Sequence, residues 1–188
     1  DFQITSGDKT FIGSPHPKLT YAVNIDLGYG PVDLKIFGQG VYGNEVFMAT
    51  LYYLHSGDAY WNLMTDMDNY WKGEGDDTNI PRLGSYPYNL RLSDQYVKDG
   101  SYFRIKTIQL GYTLPFAVLK KIGVERCRIY YNGQNLISIH NYQGFDPEIG
   151  VGRNTGNTIA QRGFLDIGID RGMYPLAKVH SIGINLSF

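Results

Sequence analysis

The feature that most constrains this chain is a strict two-residue alternation from Lys18 to Tyr29. Leu19, Tyr21, Val23, Ile25, Leu27 and Tyr29 fall on one side; Lys18, Thr20, Ala22, Asn24, Asp26 and Gly28 fall on the other. Successive side chains of a strand point to opposite faces, so this stretch predicts one strand with an apolar and a polar face. It is about twice as long as the usual ~5–6 residues of a globular strand. Gly30-Pro31 then predicts a tight turn. Beyond it Val32, Leu34 and Ile36 alternate with Asp33, Lys35 and Gln39, and Phe37 breaks the pattern on the polar side.

Three further segments follow the same rule. Ile108, Leu110, Tyr112 and Leu114 alternate with Thr107, Gln109, Gly111 and Thr113. Cys127, Ile129 and Tyr131 oppose Arg126, Arg128, Tyr130, Asn132 and Gln134. Ile182, Ile184, Leu186 and Phe188 oppose Ser181, Gly183, Asn185 and Ser187 at the end of the chain. The expected strands are 18–29, 31–41, 101–114, 125–139 and 175–188. Tight connections alternate with long ones of about 58 and about 35 residues, lengths uncommon in compact soluble domains. In the first long connection, Asn44 is expected to cap a short helix carrying Phe47, Leu51 and Leu54, with Trp61, Met64 and Trp71 continuing the helical spacing.

Long two-faced strands joined by alternating short turns and long loops describe an all-β, antiparallel transmembrane β-barrel segment, with lipid against the apolar side and a polar lumen. A soluble β-sandwich is the competing fold, because it also alternates apolar and polar residues. Composition removes other classes. With 17 Lys+Arg against 18 Asp+Glu, the net charge of -1 excludes a polybasic nucleic-acid binder. The single Cys127 excludes an intramolecular disulfide framework and a multi-cysteine zinc site. It reads as a small buried hydrophobe on the apolar side. No apolar run is long enough for a transmembrane helix. The start, Asp1-Phe2-Gln3, carries neither an initiating Met nor a signal peptide, so the chain is expected to be processed or part of a longer protein.

Residues that carry chemistry elsewhere find no supporting context. Gly38-Gln39-Gly40-Val41-Tyr42-Gly43 fits G-x-G-x-x-G but lacks the βαβ unit that a dinucleotide site needs. Asp66, Asp68, Asp76 and Asp77 lack the EF-hand spacing and read as solvated loop charge. His16, His55, His140 and His180 are dispersed, and no G-x-S-x-G elbow anchors a nucleophile. Asp146, Glu148 and Asp170 have nothing to set them as an acid–base pair. No catalytic, cofactor or metal residue is therefore assigned. Tyr52, Tyr53, Tyr60, Trp61, Tyr70 and Trp71 form the most suggestive cluster. They either stack a ligand or partner, or pack the loop's own core.

An ordered set of motifs narrows the reading. Gly13-Ser14-Pro15-His16-Pro17-Lys18 leads into the first strand, and Asp33-Leu34-Lys35-Ile36-Phe37-Gly38 opens the second. Pro81-Arg82 follows in the first long loop. Asp99-Gly100-Ser101-Tyr102-Phe103-Arg104-Ile105-Lys106 runs on to Leu110-Gly111-Tyr112-Thr113-Leu114-Pro115. Asn135-Leu136, Gly144-Phe145-Asp146-Pro147-Glu148 and Gly168-Ile169-Asp170-Arg171-Gly172-Met173-Tyr174-Pro175 complete the series. Together they resemble the C-terminal end of SusC/RagA-type TonB-linked outer-membrane proteins.

That resemblance implies about five C-terminal strands of a barrel of about 22 strands, with the plug domain and earlier strands absent. It implies a component of a TonB-energised importer of large nutrients, glycans or peptides, and no enzyme. The implied partners are the remainder of the barrel, a SusD-like surface lipoprotein acting as a lid, TonB through the missing N-terminal part, and the bilayer. The implied place is the outer membrane of a Gram-negative bacterium, with the C-terminus periplasmic and the long loops extracellular. Ile184, Leu186 and Phe188 resemble a C-terminal assembly signal. Lys35, Arg126 and Arg128 are expected to set lumen electrostatics. The alternatives are a non-transporting structural or adhesive outer-membrane barrel, or a soluble carbohydrate-binding β-sandwich.

Overall fold

The computed structural model describes residues 5–55, 62–84, 91–120, 123–149 and 167–188. In chain order these form β1 (Leu19–Tyr29), β2 (Val32–Tyr42), β3 (Glu45–Met48), α1 (Ala49–His55), β4 (Val97–Asp99), β5 (Tyr102–Thr113), α2 (Phe116–Leu119), β6 (Arg126–His140), β7 (Ile169–Asp170) and β8 (Val179–Ser187). They divide into two compact units. One gathers residues 17–43, 100–141 and 174–188, and the other 1–16, 44–99 and 142–173.

The first unit is a five-stranded sheet in the order β1-β2-β5-β6-β8, antiparallel throughout. Cross-strand partners share a face, so the register sorts the side chains. Leu27, Leu34, Leu110, Tyr131 and Ile182 form one row across all five strands, and Asp33, Gly111 and Tyr130 belong to the opposite face. The face carrying Leu27 also holds Val23, Ile25, Ile36, Ile108, Ile129, Ile184 and Leu186. It stands open: Ile182 is 79% and Ile184 60% exposed. The other face holds Asn24, Asp26, Lys35, Gln39, Gln109, Asn132 and Asn185. Among the described residues of this unit no second sheet covers either face, so the β-sandwich alternative falls. A sandwich buries the inner faces of two sheets, whereas a single layer exposing this much apolar surface is stable only against lipid. This is a segment of a transmembrane β-barrel wall.

Aromatic residues punctuate the apolar face. Tyr21 stacks on Phe103 with ring centroids 5.9 Å apart. Their rings fill the space over Gly40 and Gly38, where a Cβ would collide with them. From Tyr21 to Tyr29 the strand advances about 27 Å at ~3.4 Å per residue. Tilted by ~40°, that rises about 21 Å, most of the apolar band of about 25 Å between the aromatic girdles of such barrels. The outer edges of β1 and β8 have no partner among the described residues. A closed barrel leaves no such edges, so both await strands from elsewhere.

The second unit is built by the segments attached at the other ends of these strands. β4, β3 and β7 form a small sheet, with β3 antiparallel to β4 and parallel to β7. Its core is Met48, Leu51 and Tyr96, with Phe47 and Tyr52 packed against them. The helix expected from Asn44 onward starts later. Glu45–Met48 is strand β3, and only Ala49–His55 is helical. Ladder pairing of Phe47 with Val97 and Ile169 outweighs the 3–4 spacing that suggested a helix. The expected helical continuation also fails: a 3-10 turn runs from Thr65 to Asn69, and Trp71 is irregular, its N–H bonded to the Ile80 carbonyl at 3.0 Å. Trp61 lies outside the described residues.

Candidate functional site

The polar sheet face carries a ladder of charge. Lys35 and Asp26 are cross-strand partners, with Nζ and Oδ1 3.3 Å apart, and both are solvated. Arg128 reaches further. From β6 its guanidinium crosses β5 to clasp Asp33 on β2, Nε to Oδ1 at 2.9 Å and Nη2 to Oδ2 at 2.5 Å. Nη2 also donates to Gln109 Oε1 at 3.3 Å, and the guanidinium lies 5.1 Å from the Tyr130 ring centroid. The crossing exists because residue 111 is glycine. A Cβ there would sit 2.5 Å from Arg128 Nη2 and 2.5 Å from Asp33 Oδ1. Arg126 and Arg128, with Asn185, Leu186 and Ser187, line an open recess of about 400 Å³ near the β8 edge. Toward the opposite strand ends, Arg104 is buried, donates to Ser138 Oγ at 3.4 Å and packs on Tyr102. The expected cations Lys35, Arg126 and Arg128 thus share one face. The sequence reading missed Asp33 as the partner of Arg128; a glycine on the polar face between the two was the available signal.

The loop aromatics divide by burial. Tyr52 points inward, 5.3 Å from Tyr96 and 6.2 Å from Phe47. Tyr53 packs edge-on against Tyr52 and remains exposed on its other side. Tyr70 lies beneath Lys72 Nζ at 5.3 Å from its centroid, and Trp71 is exposed. Tyr60 and Trp61 lie outside the described residues. The acidic residues around them have local duties. Asp66 contacts the buried His55 Nε2 at 3.0 Å, and Asp76 accepts the backbone N–H groups of Lys72 and Gly73.

The recurring motifs hold this unit together. Ser14 donates its N–H to Glu45 Oε2 at 2.8 Å while accepting the Glu45 N–H at 2.7 Å. Pro15 packs on Gly168, whose φ of +78° favours glycine and whose missing Cβ leaves room for the proline ring. Asp170 is 1% exposed yet fully used. Its Oδ1 accepts the N–H groups of Gly172 and Met173, and its Oδ2 accepts the Tyr142 hydroxyl at 2.6 Å. Burial, then that hydrogen bond, pushes the Tyr142 phenol well above the ordinary tyrosine value. Asp146 is likewise buried and accepts the Glu148 N–H at 2.9 Å. These carboxylates are turn-builders rather than an acid–base pair.

At the chain's end, Ile184 and Leu186 lie on the apolar face, paired with Ile129 and Cys127. β8 stops at Ser187, and Phe188 follows it, exposed. Cys127 is a buried free thiol.

Relatives place these features in context. The chain is 38% identical over 186 residues to TonB-dependent receptor P3 of Formosa agariphila, a match covering 99% of this chain and 18% of that protein. It is 30% identical over 189 residues to TonB-dependent receptor P26 of the same organism, covering 98% and 18%. A solved structure of the RagAB peptide importer in its open-open state contains a chain with the same fold, at a TM-score of 0.80 and 23% identity, covering 99% of this chain and 19% of that one. No family model matches. The chain thus spans about a fifth of the length of the curated receptors it resembles.

Proposed function

We propose that this chain is one wall, with its attached loops, of a TonB-energised outer-membrane importer of large nutrients, peptides or glycans. The observation that carries the reading is the single-layer sheet, apolar on one face, charged on the other and, among the described residues, unpaired at both edges. Similarity to the TonB-dependent receptors over nearly its whole length supports it. In this reading the work is non-covalent. The apolar face holds the wall in lipid, and the polar face lines the passage with paired charges. The loop unit, through Tyr53, Tyr70 and Trp71 and the neighbouring Tyr60 and Trp61, meets substrate or a SusD-like lipoprotein lid. Tyr52 gives that surface its rigid base. TonB acts through parts of the protein beyond this chain, and the terminal Ile184, Leu186 and Phe188 serve barrel assembly.

The turn between β1 and β2 and the α2 connection face the periplasm in this reading, and the long loops face outward. Deleting the complete gene should abolish growth on the imported polymer, and the complete protein should co-purify with a surface lipoprotein. In intact cells, a cysteine at Asp77 should react with an impermeant maleimide and one at Glu125 should not. Normal uptake without the gene would end the transport reading, and the reverse labelling pattern would end the orientation.

A further inference from the structure

The short connection between β5 and β6 is not a plain turn. Leu114 and Pro115 end the strand, and α2 folds back so that Leu119 is buried with Val124 and Cys127 and flanked by Leu114. Register fixes the side on which this happens. Cys127 pairs with Leu186, in step with the Ile129–Ile184 pair, and so belongs to the apolar face. α2 therefore covers the rim of the face that meets lipid, not the lumen. Two of its other apolar side chains stay uncovered: Phe116 is 62% and Val118 55% exposed. Lys120 follows them, also exposed.

We propose that α2 is an interfacial anchor, seated in the headgroup region of the leaflet at the turn end of the barrel. This rests on the barrel reading above. Leu119 fixes the element to the wall, and at helical spacing Phe116 and Val118 fall on its two flanks, where they remain uncovered. Leu119, on the same element, packs with Cys127, which shares the apolar face with Ile129 and Ile184. An apolar turn closed by a lysine, placed at the rim of a lipid-facing wall, suits the boundary between headgroups and acyl chains. An aromatic ring belongs at that depth, and a lysine there can extend its ammonium to lipid phosphates while its stem stays in the apolar layer. The occupant is phospholipid, and the role is to fix the height of the wall in the bilayer.

The test uses the complete protein reconstituted in vesicles of phosphatidylcholine and phosphatidylglycerol. A bimane label is placed, after folding, on Phe116→Cys or Val118→Cys. Both residues are exposed, so folding should tolerate the change, and the native Cys127 is buried. Lipids brominated high or low on the acyl chain report depth. Ile184→Cys on the apolar face and Asp77→Cys in the loop unit are the controls. The expected result is quenching at residues 116 and 118 by the shallow bromines, in the range of the Ile184 signal, with none at residue 77. Quenching at 116 and 118 no greater than at 77, while residue 184 is quenched, overturns the anchor and leaves the barrel standing. Shielding from aqueous iodide without quenching by bromolipid would mean a protein surface covers α2, and also overturns it. Absence of quenching at 184 would bring down the barrel reading and the anchor together.

Discussion

Replacing Gly111 with valine removes the space across which Arg128 reaches Asp33. A Cβ at this position would approach Arg128 Nη2 and Nε, and Asp33 Oδ1, to between 2.5 and 2.6 Å. The backbone need not move, because the obstructed atoms end flexible side chains. What is lost is the bidentate pair. The two side chains retain 15% and 31% of their exposure, between a surface pair worth about 0–1 kcal/mol and a buried one whose breakage costs about 3–5 kcal/mol. A loss of about 2 kcal/mol follows. Valine in place of glycine within a strand returns about 0.5–1 kcal/mol. Gly111→Val should therefore destabilise the barrel by about 1–1.5 kcal/mol. In an Arg128→Gln background no bidentate pair is left to break and the released Asp33 carboxylate can turn aside, so the same substitution should be neutral or stabilising by about 0.5–1 kcal/mol. The assay is the urea midpoint of the heat-modifiable folded band of the complete protein in detergent, measured for the full double-mutant cycle. Equal destabilisation in both backgrounds would refute the reasoning, because the cost would then lie in the strand and not in the charge pair.

Other expectations follow from the loop unit and the chain's end. Tyr142→Phe removes the hydroxyl that donates to buried Asp170 and should cost about 1–3 kcal/mol in that unit, read by hydrogen exchange. The folded Tyr142 phenol titrates above its ordinary value of 10.0, so its contribution is complete below pH ~10 and fades only at higher pH; ultraviolet titration showing Tyr142 ionising early would contradict this. Tyr52→Ala should destabilise the loop unit by about 2–4 kcal/mol, whereas Trp71→Ala should leave it folded and weaken lid or substrate binding, so similar proteolysis of both variants would refute the division. Phe188→Ala should sharply lower the yield of inserted protein while the barrel that forms keeps its thermal stability; normal membrane levels would remove the assembly-signal proposal and leave an interfacial aromatic.

The wall was legible because period 2 is a local signal. Leu19 to Tyr29 declares both faces without any knowledge of partners, and the register repeats that division across five strands. The loop unit was less legible because its contacts join residues far apart in the chain. Phe47 has helical spacing to Leu51 and Leu54, yet it pairs with Val97 and Ile169. Asp170 and Tyr142 meet across 28 positions, and no periodicity marks either. The motif residues drew notice in sequence without showing their work, which is turn-building around Glu45, Gly168 and Asp170. Among the candidate aromatics, sequence alone offered no way to separate inward Tyr52 from exposed Trp71, because the helix holding Tyr52 is only two turns long and the chain at Trp71 is irregular, so no sustained period phases their side chains.

The central claim is that one face of the sheet meets lipid and the other a polar passage. A charge scan of the complete protein tests it directly. Leu110→Arg and Ile184→Arg place a guanidinium on the apolar face, at a cost of about 2–4 kcal/mol near the bilayer midplane. Gln109→Arg and Asn185→Arg place the same group one residue away on the polar face. Folded protein in the outer membrane, measured as the heat-modifiable band, should fall steeply for the first pair and stay near the unsubstituted level for the second. Equal losses in both pairs, or the greater loss at Gln109 and Asn185, would contradict the assignment of the faces.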